Sequence, residues 1–480
     1  MSDNNTIRLN NVDYQLSAAI SSPDSTGVIL TPMQLYAITI HDNIFEPFFS
    51  ASIEYFDDEH FVEQGKTTAG PVENQQNSTD IGYRFNGDGL DVVDISFKLI
   101  SDDADIKCNC KCSVVDTSRS YNSNIQRFTK TLFLTDFYKQ LFKNIQSFFT
   151  TTNTTNKYIS QCSNSDRMML TGVAIKTLLT SNGVEESSIG IWDDGNSNIF
   201  YSSSSNEKVY DTLINLYKLH TSTDSQVNGL CYLSHEFTDN TWNLIDLSLT
   251  YKNAIDKSNI ALPSVGALYA GNINIETSGS DIQTRTLNTR LPINALSLND
   301  SMALSYDFKD MNADDAININ SHIVYNYNNT NKEFTIDMCD GNIDTFSDFF
   351  TNNYISHMIG NNNSPYINLH KLDFKSNNQS FTNTYNNYLN NNKAFGQNTL
   401  TQLFNIFNNA IELTIYGNLN YKSGKFISIN SNNAIKNNTF SDKIYGMYLI
   451  VSATHIINNG KFTTKLVCVK PYLYQKPSNS

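Results

Sequence analysis

The sequence predicts a mainly β protein of the α+β class, in which two tube-like antiparallel β-barrel domains flank an α/β domain. Apolar and polar residues alternate in both terminal parts of the chain, as in strands with one buried face. Between residues 137 and 220 apolar residues instead recur every three or four positions, as in amphipathic helices. A chain of 480 residues is also too long for one core, so several domains are expected.

The first β-barrel domain is assigned to residues 1–116. Its first two strands form a hairpin around the loop HDNIFEPF, and two further strands follow. The alternating apolar positions are Tyr36, Ile38 and Ile40, then Phe49, Ala51, Ile53 and Tyr55, then Val93, Ile95, Phe97 and Leu99, and finally Ile106, Cys108, Cys110, Cys112 and Val114.

The α/β domain is assigned to residues 117–260. A first helix carries the apolar stripe Phe137, Leu141, Phe142, Ile145, Phe148 and Phe149, and a second carries Leu170, Val173, Ala174, Thr177 and Leu178 before an Asn182-Gly183 stop. A third helix is expected to begin at Ser204, with Glu207 completing a capping box. Two short strands are predicted after Gly229 and Thr241, which gives helices packed against a small sheet.

Residues 261–300 are predicted to be a linker rich in Gly, Ser and Thr, and residues 301–480 to be the second β-barrel domain. Strands are expected from Ser301, Ser321 and Lys332. An Asn-rich insert at about 345–410 follows, with a helix carrying Leu400, Leu403, Phe404 and Phe407. Four closing strands then end the domain, with turns at Ser423-Gly424 and Asn459-Gly460.

Charge and composition exclude several classes of function. The net charge of −14 argues against a surface that grips phosphate backbones, whereas an acidic wall suits a channel through which DNA passes. No apolar run reaches the ~20 residues of a membrane helix, and the N-terminus lacks the pattern of an export signal. Seven cysteines, an odd number, favour reduced thiols in the cytoplasm over a disulfide framework.

The Cys108-x-Cys-x-Cys112 motif is the feature most suggestive of a metal site. On a strand, residues i and i+2 lie ~6.5 to 7 Å apart, whereas sulfurs on tetrahedral zinc lie under ~4 Å apart. All three cysteines are also in phase with Ile106 and Val114. They are therefore predicted to be buried core residues, since free Cys packs as a small hydrophobe.

Other candidate sites also favour structural roles. His235-Glu236 lacks the second histidine of a zincin helix, and Gly424-Lys425 and Gly460-Lys461 lack the rest of a phosphate loop and are predicted hairpin turns. The acidic loop with Asp337, Asp340 and Asp344 around Gly341 does not match an EF-hand. His455 is predicted to be a hydrogen-bonded core or interface histidine. No catalytic, cofactor-binding or metal-binding residue is therefore assigned, and the protein is predicted not to be an enzyme.

The order of these elements resembles that of baseplate hub proteins from contractile-tailed bacteriophages and of the hub part of type VI secretion spike proteins. The similarity lies in the opening hairpin with Glu46 and Pro47, in the two helices that precede a strand pair, and in a closing barrel with Tyr416-Gly417-Asn418, Gly424 and His455. The Asn-rich insert is longer than a minimal hub needs, and nothing after Lys470 provides a fused spike.

The resemblance implies a structural virion protein: a homotrimeric ring that adapts the hexameric tail tube to a trimeric central spike and forms part of the channel for DNA ejection. Its implied partners are the tail tube protein, a separate spike protein, other baseplate proteins and a tape measure protein, with DNA only in transit. Assembly would take place in the host cytoplasm. Two alternatives remain open: a β-rich tail adhesin that binds host surface glycans, and a polysaccharide-degrading tail enzyme with a convergent acidic pair.

Overall fold

The structure is a computed structural model, and it describes about half of the chain. The described residues are 6–10, 12–22, 25–57, 91–100, 107–123, 127–151, 168–195, 198–199, 201–220, 231–246, 269–275, 300–309, 321–328, 333–340, 365–369, 410–431, 446–458 and 460–469. Over these ranges the protein is mainly β with helices only in its middle part, which confirms the predicted α+β, mainly β class.

The N-terminal part forms one antiparallel sheet. Its strands are β1 (Thr6–Leu9), β2 (Val12–Ser22), β3 (Ser25–Leu30), β4 (Leu35–Asn43), β5 (Ser50–Phe56), β6 (Val92–Leu99), β7 (Lys107–Asn122) and β8 (Arg127–Asp136). They lie in the order β1-β2-β6-β7-β8-β5-β4, and β3 also pairs with β2. The predicted β4–β5 hairpin is confirmed, with Ile38 opposite Ile53.

The N-terminal sheet continues past residue 116, the expected end of the first barrel domain. That position lies inside β7, and β8 pairs with both β7 and β5. Sequence periodicity missed this extension because β7 changes phase at a bulge between Val114 and Asp116, which interrupts strict alternation.

The middle part contains helices α1 (Phe137–Asn144), α2 (Thr171–Ser181) and α3 (Val209–Lys218), with a 3₁₀ turn at Glu186–Ser188. Its strands are β9 (Met169–Leu170), β10 (Ile189–Trp192), β11 (Asn198–Ile199), β12 (Cys231–His235) and β13 (Trp242–Asp246). β13 pairs with β12 and β10, and β9 pairs with β11. The helices and strands share one core, as predicted for an α/β unit.

Two helix boundaries differ from the prediction. α3 begins at Val209 instead of Ser204, because the Glu207 carboxylate accepts hydrogen bonds from Ser204 N and Thr212 Oγ1 and so closes a turn ahead of the helix. α1 ends at Asn144, where Ile145 adopts an extended conformation. Phe148, a residue of the predicted helical stripe, consequently lies outside the helix and is 84% exposed.

The C-terminal part contributes β14 (Tyr269–Ile275), β15 (Asp300–Lys309), β16 (Ser321–Asn328), β17 (Glu333–Asp340), β18 (Pro365–Leu369), β19 (Ala410–Tyr416), β20 (Phe426–Ser431), β21 (Gly446–Asn458) and β22 (Lys461–Val469). The pairings run β21-β20-β14-β15-β19-β22 and return to β21. The four predicted closing strands, β19 to β22, are confirmed.

Three expectations for this part need correction. β14 lies within the predicted linker, and it pairs in parallel with β15 and with β20, so the set is mixed and not purely antiparallel. β16 and β17 form a separate sheet with β18, in the order β17-β16-β18. β18 itself lies in the Asn-rich insert, whose predicted helix at 400–407 falls outside the described residues.

β21 joins the two large sets of strands into one layer. Its first part pairs with β20, and its second part, Ser452–Asn458, pairs with β4 along the same edge. A bulge between Ile450 and Ser452 marks the change of partner, and Ile44 N donates to Val451 O over 2.9 Å at this point. The hydrophobic core follows the same continuity, since Ile457 and Phe462 belong to the core of the N-terminal sheet.

Candidate functional site

The candidate functional site is the junction of the three parts of the chain. We define the junction as Asp42, Asp136, Tyr232, His235, Glu236, Lys422 and Ser423. Here the β12–β13 hairpin of the middle part contacts the β4–β5 loop on one side and the turn before β20 on the other. All seven side chains make hydrogen bonds or ion pairs between different parts of the chain.

His235 connects the middle part to the N-terminal sheet. Its Nδ1 lies 2.5 Å from Asp136 Oδ2, and both side chains are at most 3% exposed. Asp136 is also the N-cap of α1, where its Oδ1 accepts from Tyr138 N over 2.8 Å. His235 N donates to Pro47 O over 2.7 Å. One histidine therefore fixes the β4–β5 loop, the end of β8 and the start of α1.

Aromatic rings enclose this histidine. Trp242 stacks on the imidazole with ring centroids 4.7 Å apart, and Phe49 lies 6.0 Å away, also stacked. Asn240 Oδ1 lies 2.9 Å from Nε2, and Asn240 has φ of 60°, a conformation that favours Gly and Asn. Both ring nitrogens thus have partners in an apolar setting, which suits a rigid connection.

A hydroxyl chain connects the middle part to the C-terminal part. The Tyr232 hydroxyl lies 2.7 Å from Ser423 Oγ, which donates to Asp42 Oδ2 over 2.8 Å. Ser423 N donates to the same oxygen over 2.9 Å. Burial raises the pKa of the Asp42 carboxyl above its usual range, and the hydrogen bonds from Ser423 partly oppose that rise. Burial also raises the pKa of Tyr232, so its hydroxyl stays protonated.

Lys422 forms the ionic contact of the junction. Its ammonium group contacts the Glu236 carboxylate and the Thr238 hydroxyl, and it lies 5.8 Å from the Phe237 ring centroid. The Lys422 side chain is only 8% exposed. Glu236 Oε1 in turn accepts from Asn243 Nδ2 over 2.9 Å. Because a buried charge is costly unless it is paired, this contact strongly favours one arrangement of the hairpin and the turn.

Gly424 allows the turn to approach the middle part. Its φ is 77°, and a Cβ atom added there would lie 2.3 Å from Tyr232 Cε1. Gly417, at the end of β19, has a similar role, since an added Cβ would lie 2.0 Å from Phe462 Cγ. Gly424 is predicted from the sequence to be a turn residue and Gly417 belongs to the Tyr416-Gly417-Asn418 motif, and the structure adds close packing as a reason for both glycines.

A second feature is the polar face of the layer that runs from β8 to β19. Registered pairs place the following in one row across the strands: Phe133, Ser52, Thr39, Ile456, Thr463 and Tyr416. The neighbouring row contains Thr135, Ser50, His41, Thr454, Lys465 and Thr414. These positions alternate with buried Ile53, Ile40 and Leu466, so they form the face opposite the core.

The cysteine prediction is confirmed, because Cys108, Cys110 and Cys112 are buried at 0%, 2% and 0% exposure in the core of the N-terminal sheet. Cys108 Sγ lies 3.5 Å from Phe237 O. Two effects raise the pKa of the Cys108 thiol: the hydrogen bond with Cys110 is the larger, and burial is the second. The part of the chain that the structure describes contains no group of three or more His, Cys, Asp or Glu placed to hold a metal ion.

The other predicted residues fall as follows. Gly424 and Gly460 lie in turns at positive φ, and His455 is buried with Nδ1 3.0 Å from Thr464 Oγ1, as expected. The prediction of an acidic loop is wrong for Asp337 and Asp340, which lie in strand β17, whereas Gly341 and Asp344 are outside the described residues. Glu46 pairs with Lys139 over 2.9 Å in the opening hairpin loop.

Sequence reasoning missed most of the junction. His235-Glu236 was considered only as an incomplete zinc motif, and Asp42, Tyr232 and Lys422 were not singled out. Asp136 carried a usable signal, since an aspartate directly before a helical stripe is a preferred N-cap. The remaining contacts join residues up to 381 positions apart, which no local pattern reveals.

No helix in the described residues is long and apolar enough to cross a membrane. No protein-family model matches the chain, and no curated protein matches it.

Several solved structures do match. A tail protein from Neisseria meningitidis MC58 has a TM-score of 0.48 and 8% identity over 95% of this chain and 96% of its own. The 43 kDa tail protein of prophage MuSo2 from Shewanella oneidensis has a TM-score of 0.45 and 9% identity, over 95% of this chain and 99% of its own. A chain of the lidded Francisella PdpA-VgrG complex has a TM-score of 0.46 and 10% identity, over 98% of this chain and 55% of that chain. Two of these neighbours are tail proteins, one of them from a prophage, and the third is a PdpA-VgrG complex.

Proposed function

We propose that this chain is the structural baseplate hub of a contractile phage tail. Three copies form a ring that adapts the hexameric tail tube to a trimeric central spike and encloses part of the channel for DNA. The observation that carries the proposal is the pairing of β4 with β21, with His455 opposite Ile40, because it turns two sets of strands into one continuous layer.

The continuous layer suits a ring subunit that has to match two symmetries. Each copy contributes two sets of strands. One is the N-terminal sheet, and the other is the C-terminal set, in which the pairings return from β22 to β21. Three copies would therefore present six sets to a sixfold tube and three middle parts to a threefold spike. Contacts between different surfaces of identical subunits close a ring when the rotation per subunit is one third of a turn.

The polar face is the proposed channel wall. Its charged residues across the rows from β5 to β19 are Glu54 and Glu412, together with Lys461 and Lys465, and half of its other positions are Ser or Thr. Tight DNA binding requires clusters of Lys and Arg that release counterions. A face without such clusters lets DNA pass without being held.

The junction supports a mechanical role. The Asp136–His235 and Lys422–Glu236 contacts hold the middle part against both sets of strands. A buried set of paired polar groups disfavours alternative packings. The middle part can thus transmit contact from a spike to the ring without a change of shape.

The proposed partners follow from this placement. They are two further copies of the chain, the tail tube protein, a separate spike protein, and other baseplate proteins together with a tape measure protein. The chain would be a virion protein of the tail baseplate that assembles in the host cytoplasm, and its role would be structural and not enzymatic.

Electron microscopy with class averaging, combined with light scattering, tests the proposal. The expected result is a threefold annulus with a central channel and three times the 54.1 kDa chain mass. A protein that stays monomeric at all concentrations, with tube and spike proteins present, would overturn it. Binding to a host glycan array by such a monomer would point to the adhesin instead, and release of sugar from host polysaccharide would point to the tail enzyme.

A further inference from the structure

A small cavity lies inside the junction. Its volume is about 10 Å³, and its lining includes Asp42 of β4, Tyr232 of β12, and Lys422 and Ser423 of the turn before β20. One water molecule needs roughly 10 to 15 Å³ of such space and two to four polar partners. The cavity therefore has room for a single water molecule and for no larger ligand.

Asp42 has a hydrogen-bond acceptor to spare at this cavity. Its Oδ2 atom accepts from Ser423 N over 2.9 Å and from Ser423 Oγ over 2.8 Å. Its Oδ1 atom is buried and has no hydrogen-bond donor among the residues that the structure describes. Because buried polar atoms in folded proteins are nearly always hydrogen-bonded, Oδ1 requires a donor that these side chains do not supply.

Lys422 has a hydrogen-bond donor to spare at the same cavity. A lysine ammonium group carries three N–H bonds, and in the described ranges that of Lys422 contacts the Glu236 carboxylate and the Thr238 hydroxyl. Burial is the largest effect on the pKa of the Asp42 carboxyl and raises it, whereas the positive charge of Lys422 lowers it. The two side chains thus interact electrostatically, although no direct hydrogen bond or ion pair joins them in the part of the chain that the structure describes. A polar interaction across such a gap is commonly mediated by water.

We propose that one water molecule occupies this cavity and bridges Asp42 and Lys422. The water accepts a hydrogen bond from the third N–H of Lys422 and donates one to Asp42 Oδ1. A cation does not fit, because the Lys422 ammonium group already places a positive charge beside the cavity. An anion does not fit either, because Asp42 and Glu236 also line the cavity. A neutral molecule that both accepts and donates hydrogen bonds satisfies the two side chains at once.

The bridging water joins the three parts of the chain in one closed set of contacts. The Tyr232 hydroxyl of the middle part contacts Ser423, which contacts Asp42 of β4. The Glu236 carboxylate of the middle part contacts Lys422, which the water connects to Asp42. A buried polar network whose members are all hydrogen-bonded favours a single packing. The site lies within one copy of the chain, so this inference does not depend on the proposed ring.

A crystal structure of the full chain, at a resolution that shows single water molecules, tests the site directly. The expected result is one density peak about 2.7 to 3.1 Å from both Asp42 Oδ1 and Lys422 Nζ. A peak surrounded by oxygen atoms at about 2.4 Å would mark a metal cation instead. That result, a cavity without density, or a direct hydrogen bond from a protein donor to Oδ1 would overturn the inference.

A double-mutant cycle tests the bridge in solution. Asp42→Asn and Lys422→Met are made singly and together, and urea unfolding midpoints give the coupling between the two changes. Lys425→Met is the matched control, since Lys425 also interacts electrostatically with Asp42 but does not line the cavity.

The coupling of Asp42→Asn with Lys422→Met is expected to be at least about twice its coupling with Lys425→Met, because only Lys422 shares the water. Far-UV circular dichroism confirms that each variant folds. Equal couplings would show that long-range charge alone connects Asp42 to the turn, and the inference would then be wrong. The crystal structure of the wild type decides the question even if a variant does not fold.

Discussion

His235 and Asp136 form a buried pair, 2.5 Å apart, that joins the last residue of β8 to the strand β12, 99 positions later in the chain. Asp136 also caps α1, and His235 also holds the β4–β5 loop through Pro47 O. The pair therefore determines how the middle part sits on the N-terminal sheet.

We expect Asp136→Ala to destabilise the middle part by about 3 kcal/mol, since it removes an N-cap and leaves His235 without its buried partner. Trp242 stacks on His235, and the chain contains only Trp192 and Trp242, so tryptophan fluorescence during urea unfolding reports on this region. Asp94→Ala, at an exposed position of β6, is the control and should change the free energy of unfolding by less than about 0.5 kcal/mol. Equal effects of the two changes would contradict a central role for the pair.

A glycine pair tests the close packing at the junction. Gly424→Ala should cost more than about 2 kcal/mol, because it combines positive φ with a Cβ placed 2.3 Å from the Tyr232 ring. Gly183→Ala is the matched control: Gly183 has φ of 93° but nothing within 4 Å of an added Cβ, so only the backbone cost of about 1 kcal/mol applies. Urea unfolding midpoints measure both, and the packing argument fails if Gly183→Ala is as costly as Gly424→Ala.

The sequence predicted where strands occur better than it predicted which strands pair with each other. Alternation at Ile38, Ile40, Ile53 and Tyr55 predicted the β4–β5 hairpin because these side chains of the two strands are buried on one face. The pairing of β4 with β21 joins residues more than 400 positions apart, and nothing local to either strand specifies it.

Local sequence patterns failed mainly to predict the parallel strand β14 and the full length of the bulged strand β7. β14 reads YAGNINI, with a glycine and two asparagines inside the strand, and its two parallel partners are not its neighbours in sequence, so local composition predicts a linker there. The alternation that predicts β7 ends at the bulge after Val114, although the strand itself continues beyond it. The junction was missed for a related reason: its polar residues are unremarkable one by one and become informative only when the fold brings them together.

The five described buried cysteines should resist alkylation in the folded protein. Cys108, Cys110, Cys112 and Cys468 are at most 2% exposed, and burial raises the pKa of Cys468. A thiol that stays protonated and inaccessible reacts slowly. Iodoacetamide labelling at pH 8 with peptide mapping should leave these four and Cys231 unmodified, and prior unfolding in urea should label all seven. Rapid labelling within Cys108–Cys112 under native conditions would contradict the core assignment.

His455 should make the folded state sensitive to acid. Burial lowers its pKa from 6.5 to about 3 in the folded state. Above pH 6.5 the imidazole is neutral in both states, so its contribution is constant. Between pH 6.5 and about 3 the unfolded chain binds a proton that the folded protein does not bind, so stability falls as the pH falls, by an amount on the order of 3 to 4 kcal/mol over the full range.

The measurement is the free energy of unfolding from urea curves at pH 7.5, 6.5, 5.5 and 4.5, followed by far-UV circular dichroism. His455→Asn keeps an acceptor near Thr464 Oγ1 and removes the titrating group, so its stability should decline less steeply below pH 6.5 than that of the wild type. His41→Asn is the control, since His41 makes the analogous contact with Thr454 Oγ1 at 2.9 Å but is only partly buried. If His455→Asn and the wild type lose stability in parallel between pH 6.5 and 4.5, the acid sensitivity originates elsewhere, and His220, whose pKa burial lowers to about 4, is the next residue to change.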